Sequence, residues 1–327
     1  MKVAVLMGGN SFERKFSLAS GKRVCEALEE AGHKVVPLDT TEDLVPTLRS
    51  ERPQVCYSAL HGKHGEDGTI QGLLEFLKIP FVGASASTCR DTWNKATLPA
   101  VLQSYRAAND QDLTASCPVG ICLARDAFKD MGAATAIELF AERIPGGYPL
   151  CVKPACGGSA MGVHRVEHVE DMGRALLDAF TYDDEVIVEQ WIEGTELAVS
   201  ILGSGWDAHV LPPVEIVPTS GLFTTEARLT DGAVAYISPV RLGSLAPDEA
   251  QAQAIRAEIE RAALEVYHAY GVHDLGRVDL IWDGAQAQIL EIDVSPGMTE
   301  HSLFPTACEA SGLSLSSVLD HLVSQYA

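Results

Sequence analysis

Apolar and polar positions along this chain fall into two rhythms, and the places where the rhythm changes mark its elements. "KVAVLM" (2–7) is apolar at nearly every position and stops at Gly8-Gly9, which predicts a strand and a turn. "SLASGKRVCEALEEA" (17–31) carries its apolar residues at helical spacing and stops at Gly32. "KVVPLD" then reads as a strand, "TTEDLVPTLRS" as a helix and "QVCYSAL" as a third strand. A Gly-rich loop, "HGKHGEDG", precedes the helix "TIQGLLEFLKI", and "PFVGAS" closes the unit. Strands alternating with helices predict an open parallel sheet covered on both faces, assigned here to residues 1–96.

The pattern changes after residue 96. Residues 97–190 read as a second unit: the helical "KATLPAVLQSYRAA", a strand near 118–123, a helix over 133–143, a strand through "YPLCVKPA", a helix near 168–180 and the strand "EVIVEQWI". Residues 191–327 read as a third, with several strands, the long helix "PDEAQAQAIRAEIERAALEVYHAYG", the hairpin "GRVDLIWDGAQAQILEID" and the amphipathic "SLSSVLDHLVSQYA". No repeat or low-complexity tract interrupts them.

Composition narrows the partners. With 327 residues, the chain has room for two or three domains, and 46% apolar with 21% charged residues describes a soluble globular protein. The formal charge of −21 argues against nucleic acid or an anionic membrane, because phosphate backbones need clustered cations. A few placed Lys and Arg can still hold one nucleotide. The eight cysteines form no CxxC pair and no zinc-ligand spacing, so they read as reduced thiols of a cytosolic protein. The opening "MKVAVLMGGN" reads as a first strand rather than a secretory signal, and no run reaches membrane-spanning length.

The hairpin poses the sharpest chemical question. Ile289, Leu290, Ile292 and Val294 favour a buried strand, yet Glu291 and Asp293 sit among them, just before Pro296-Gly297. Residues two apart on a strand share a face, and Asp279 lies nearly opposite on the partner strand. Three carboxylates are therefore expected to converge on one small volume. Unpaired buried anions are costly, so a positive partner is required. Carboxylates on rigid strands suit Mg²⁺ that also holds substrate phosphates; a solvent-facing acidic patch is the alternative. Arg277, two residues before Asp279, is placed to grip an anion bidentately.

Other stretches offer weaker signals. "VKPACGGSAMGV" (152–163) puts Lys153 at a strand end before a turn containing Gly157, Gly158 and Gly162, whose N–H groups can cradle phosphate. An ordinary tight turn accounts for it equally well. "VEQWIEGTE" places Glu189 and Glu196 around a strand end, where surface acids are common. "GGNSFERKFSLASG" and "HGKHGEDGTIQG" follow predicted strands, where open α/β sheets expose their ligand crevice; His61 could equally be a structural histidine.

These motifs, together with a Lys near 95, "GRVDLIWD" and "LEIDVSPGMTEHSLFP", run in order from end to end of the chain. In this it resembles the D-alanine–D-alanine ligase family of the ATP-grasp superfamily. The resemblance implies an α/β and α+β chain, an ATP-grasp fold behind an N-terminal open parallel α/β domain. ATP would sit between 97–190 and 191–327, with Lys95, Lys153, Gly158 and Arg228 at its phosphates, Glu189 at adenine and Glu196 at ribose. Two Mg²⁺ ions, for which Mn²⁺ could substitute, would be held by Asp279, Glu291 and Asp293. Glu13 would bind the ammonium of the first D-alanine, with His61 beside it, and Ser159 would orient the acceptor. Ser302 and the Leu303 N–H would receive the acceptor's carboxylate. Arg277 and the Gly297 N–H would stabilise the tetrahedral oxyanion. The implied activity is ATP-dependent synthesis of D-alanyl-D-alanine through an acyl phosphate, for peptidoglycan precursors, by a cytoplasmic homodimer. The alternatives are a sibling ligase accepting D-lactate, D-serine or another amino acid, and a nucleotide-binding protein without turnover.

The chain departs from that family at several positions. "LFTTEARL" (222–229) stands where members carry a loop like F-Y-D-Y-E-A-K-Y, so Arg228 replaces Lys and Leu229 replaces a Tyr that bonds toward the Ser and the N-terminal Glu. Cys156-Gly157 replace an Arg-Glu pair, and Asp293 replaces the usual Asn, adding negative charge to the metal site. These changes bear on the acceptor more than on the chemistry.

Overall fold

The computed structural model describes residues 1–40, 43–110, 112–219 and 232–327. Strand β1 (Lys2–Met7) is buried along almost its whole length, as the continuous apolar run requires of a central parallel strand. It pairs in parallel with β2 (Lys34–Asp39) and β3 (Val55–Ser58), and β4 (Phe81–Val82) extends the sheet in the order β2-β1-β3-β4. This is the open parallel unit expected from the sequence.

Helix α1 (Arg14–Glu30) starts three residues before the expected position, with Glu13 at its N-cap. Its buried face reads Ser17, Ser20, Gly21, Val24, Ala27 and Leu28. The first three are small because the helix passes close to β1: a Cβ on Gly21 would lie 2.6 Å from the Cβ of Met7. Helices α2 (Leu44–Glu51) and α3 (Thr69–Leu77) follow as expected.

Two further sheets complete the fold. An antiparallel sheet, β6-β9-β7-β8, is built from β6 (Gly120–Ala124), β7 (Leu150–Pro154), β8 (His164–Val166) and β9 (Glu185–Gln190). The helix Val169–Ala179 packs Met172, Ala175, Leu176 and Ala179 against it, a stripe at helical spacing. The largest sheet has the order β13-β12-β10-β14-β15-β5, with β11 (His209–Val210) paired to β10. Its members are β5 (Ala115–Ser116), β10 (Thr195–Leu202), β12 (Val214–Pro218), β13 (Val234–Ile237), β14 (Leu275–Trp282) and β15 (Ala287–Asp293). The long helix Glu249–Ala269 covers one face of that sheet, and the helix Leu98–Asn109 packs in the same core. Within the span 97–190, then, residues 98–116 attach to this sheet: β5 pairs in parallel with β15. The C-terminal helix Leu315–Ser324 returns to the first unit, where Leu319, Leu322 and Val323 share a core with Val3, Val5 and Tyr57.

Four α-helices among the described residues were not foreseen, one of them the single turn Leu242–Leu245. Ala86–Trp93 ("ASTCRDTW") is mostly small and polar and lacks a long apolar stripe; its start is marked by Ser85, whose side chain accepts from Thr88 N–H. Arg125–Met131 is too short for periodicity to register. Leu303–Ala310 follows the Pro-Gly turn, with Ser302 at its N-cap position but its side chain accepting from Thr299 N–H instead of capping the helix.

Candidate active site

Two cavities open where the three sheets meet, and they share a wall. The larger, about 410 Å³, is lined by Lys153, Glu189, Trp191, Glu196, Asp279 and Ile281 among others. That volume suits a nucleotide-sized ligand. The smaller, about 60 Å³, is polar and lined by Glu13, His61, Glu66, Asp293, Gly297 and Ser302. Lys95, Gly158, Ser159, Arg277 and Glu291 line both. The fold thus brings together every site residue expected from the sequence except Arg228, which, with Leu229, lies outside the described residues. Leu303 lies on the larger cavity and Ser302 on the smaller, at the start of one helix.

Register puts the hairpin acids where expected. Asp279 pairs with Glu291 and Arg277 with Asp293 across the β14–β15 ladder, with a bulge following Asp279. Asp279 faces the larger cavity, Asp293 the smaller and Glu291 both. Arg277 donates from Nε and Nη2 to the two oxygens of Asp279, each at 2.7 Å, and its Nη1 lies 3.0 Å from Asp293 Oδ2. Lys95 Nζ is 3.0 Å from Glu291 Oε2 and also donates to the Gly157 carbonyl at 2.5 Å. The immediate positive partners of the acids are therefore Arg277 and Lys95. The acids do not form a self-contained cage: among the described residues no three or more His, Cys, Asp and Glu side chains gather as a metal-holding group.

The electrostatics leave an excess of negative charge. Three carboxylates face two cations, and Glu196 stands nearby in the larger cavity. Burial pushes Asp279 above the usual carboxylate range despite Arg277. Burial works against the Glu291 charge as well, but Lys95 and then Arg277 outweigh it and hold that carboxyl low. Burial, and after it the charge of Asp279, pushes Glu196 up to about 8. The donor chemistry fits a divalent ion: all the donors are oxygens on rigid strands, and one negative charge is left over. Magnesium is commonly held by one or two carboxylates plus substrate phosphates, so a complete protein cage is not required.

On the facing sheet, Lys153 and Glu189 form a buried pair at 2.6 Å across β7 and β9. Burial works against the amine's charge, but Glu189 outweighs it and raises the Lys153 pKa. Trp191, just past β9, carries the Arg165 guanidinium 5.2 Å from its ring centroid.

The Gly-rich turn after β7 reaches across to the first unit. Ser159 has φ +55°, a conformation uncommon for a residue with a side chain, and it donates to Glu13 Oε1 at 2.5 Å. Glu13 is buried and closely confined: a Cβ on Gly62 would lie 2.1 Å from its Oε2. Sequence reasoning missed Glu66 and Ser20. Glu66 lies 3.4 Å from His61, and burial pushes it up to about 7 against the pull of His61. The signal was present in "HGKHGEDG", but nothing local distinguishes Glu66 from an exposed loop acid.

Known proteins resemble the chain along nearly its whole length. Two family models match the chain: one described as D-ala D-ala ligase C-terminus, over residues 128–324, and one described as D-ala D-ala ligase N-terminus, over residues 42–84. A D-alanine–D-alanine ligase from Desulforudis audaxviator is 37% identical over 323 residues, covering 98% of this chain and 97% of that protein. Among solved structures, a D-alanine–D-alanine ligase from Bacillus anthracis complexed with ATP superposes with a TM-score of 0.77 at 25% identity, covering 100% of this chain and 97% of its own. VanG D-Ala:D-Ser ligase from Enterococcus faecalis superposes with a TM-score of 0.77 at 26% identity, covering 100% and 99%.

Proposed function

Because this chain belongs to the D-alanine–D-alanine ligase family, we propose that its two joined cavities link two D-alanine molecules at the expense of ATP. It is an ATP-grasp ligase. The observation that carries the reading is the shared wall: a nucleotide-sized cavity and a small polar one meet at Lys95, Ser159, Arg277 and Glu291. A phosphoryl group leaving the first can meet a carboxylate held in the second without crossing solvent.

The chemistry requires such a junction. A free carboxylate is a poor acyl donor, because its leaving group would be oxide. Transfer of the γ-phosphoryl group of ATP to one carboxylate oxygen of the first D-alanine gives an acyl phosphate and ADP. Lys153 and Lys95 meet the phosphates, and Gly158 lets the turn approach them closely. Glu189 and Glu196 lie on the adenine and ribose side. Asp279, Glu291 and Asp293 would hold two magnesium ions, or manganese in their place. When bound, such ions draw charge from the transferring group. Glu13 takes the ammonium of the first substrate, with His61 beside it.

The amine of the second D-alanine then attacks the acyl carbon, and phosphate leaves from a tetrahedral oxyanion. Arg277 and the Gly297 N–H face that oxygen; losing one such donor typically costs about 3–4 kcal/mol. Ser159 orients the acceptor, while Ser302 and the Leu303 N–H receive its carboxylate. Arg228, which lies outside the described residues, is proposed to contact phosphate. Holding both substrates at one junction supplies much of the remaining acceleration. The product serves peptidoglycan precursor synthesis in a cytoplasmic enzyme, for which we propose a homodimer. No helix among the described residues is long and apolar enough to cross a membrane.

A second reading, a different acceptor, is favoured by one observation: the D-Ala:D-Ser ligase superposes as well as the ATP-bound D-alanine–D-alanine ligase does. A screen with ATP, Mg²⁺, D-alanine and each acceptor, read by mass spectrometry, decides between them. D-alanyl-D-alanine as the main product supports the first reading, and D-alanyl-D-serine or a depsipeptide supports the second. Tight ATP binding with no phosphate release for any pair would overturn both.

A further inference from the structure

The motif "FSLASG" contains a serine that the ligation chemistry above leaves without a role. Ser20 lies on α1, is fully buried and lines the smaller cavity. The Met298 N–H donates to its hydroxyl oxygen at 3.1 Å, and that oxygen lies 3.0 Å from His61 Nε2. On the other side of the ring, His61 Nδ1 lies 3.4 Å from Glu66 Oε1.

A serine hydroxyl has one proton to give. One assignment gives that proton to His61 Nε2 and puts the ring proton on Nδ1, toward Glu66. Every donor then has an acceptor, and the chain of bonds runs one way, from the Gly297-Met298 turn to Glu66.

Arg23 lies three residues further along α1, on the same helix face. Its Nη1 donates to the Thr299 carbonyl at 2.5 Å and to the Met298 carbonyl at 3.3 Å. Met298 is thus gripped at its N–H and its carbonyl by two residues of a helix some 278 positions earlier in the chain. The residue just before it is Gly297, where space is tight: a Cβ there would lie 2.9 Å from Ser302 Oγ.

We infer that Ser20, supported by Arg23, is a positioning residue that aims the Gly297 N–H at the oxyanion formed when the acceptor amine attacks. This rests on the ligase reading above. An oxyanion donor works only when held in place before the charge develops, and the turn's own bonds, Ser295 N–H to Asp293 Oδ1 and Thr299 N–H to Ser302 Oγ, lie on either side of the Gly297-Met298 peptide without reaching it. Phosphoryl transfer to the first substrate creates no tetrahedral oxyanion. Ser20 therefore matters more for the second step than for the first, which it touches only through His61.

Ser20→Ala, followed by rapid quench for ADP and mass spectrometry for dipeptide, tests this. The expected result is first-turnover ADP formation within about threefold of the unaltered enzyme and dipeptide formation slowed about tenfold or more, so that ADP runs ahead of dipeptide. Arg23→Met should shift the same step by a smaller factor. If Ser20→Ala does not fold, the partly exposed Arg23 carries the test with the same two readings. Equal slowing of both steps, or an unchanged dipeptide rate, would overturn the inference. Absence of dipeptide from the unaltered enzyme would instead overturn the ligase reading.

Discussion

The two walls of the larger cavity treat buried charge in opposite ways. On β7 and β9, Lys153 and Glu189 meet one to one at 2.6 Å, and the pair is neutral. Around the β14–β15 hairpin, Arg277 and Lys95 are shared among Asp279, Glu291 and Asp293, the last facing the smaller cavity, and one negative charge remains over. The first arrangement is complete in itself. The second is held by the fold in an unbalanced state, and burial pushes Asp279 and Glu196 upward there. A balanced pair orients a ligand, whereas an anion-rich cluster on rigid strands calls for further positive charge from outside the chain.

Breaking the unbalanced wall should cost most. Glu291→Gln should leave the melting temperature within a few degrees and lower ligation about a thousandfold or more, the order expected when a group acting on the transition state is lost. Near-normal turnover at saturating Mg²⁺, measured by coupled ADP release, would contradict the assignment.

On the balanced wall the larger effect should fall on stability. Lys153→Met leaves the Glu189 carboxylate buried and alone, which typically costs about 3–5 kcal/mol. Denaturant unfolding should show that loss, and adding Glu189→Leu should recover most of it without restoring ATP binding. A single variant as stable as the parent would mean the pair is not buried as described.

Glu196 gives a gentler comparison through pH. Its carboxyl has a usual value of 4.5 and is pushed up to about 8 in the folded protein, so the folded state retains a proton that the unfolded state releases. Stability from this group is fully present below pH 4.5 and is lost as pH rises through about 8. Melting temperature should fall between those limits, and Glu196→Gln should flatten the slope. A slope unchanged in the variant would assign it to other groups.

The smallest effect is expected at Leu229, which lies outside the described residues. Leu229→Tyr restores the hydroxyl that family members carry at this position, and acceptor preference should shift by a factor of a few. Identical ratios for D-alanine and D-serine would show that the hydroxyl is dispensable here.

What could be read in advance follows from how local each signal was. The alternating unit at the N-terminus was visible because β1 is a continuous apolar run and α1 a periodic one. The β14–β15 hairpin was visible because a two-residue period fixes which side chains share a face, which placed Arg277, Asp279, Glu291 and Asp293 together. Lys95 was expected at phosphate, but its contact with Glu291 spans most of the chain and leaves no local trace. The same holds for Ser20 and Met298, joined only by tertiary packing. The helix Ala86–Trp93 escaped because its buried face is Ala86, Thr88, Cys89 and Thr92, a set too polar and small to announce itself.

The central claim, that the hairpin acids are left short of positive charge so that a divalent ion can join the nucleotide there, is tested most directly by calorimetric titration of ADP with Mg²⁺ and with chelator. Binding should tighten about tenfold or more with the metal, and Glu291→Gln should abolish the difference. Equal ADP affinity in chelator and in Mg²⁺ would contradict it.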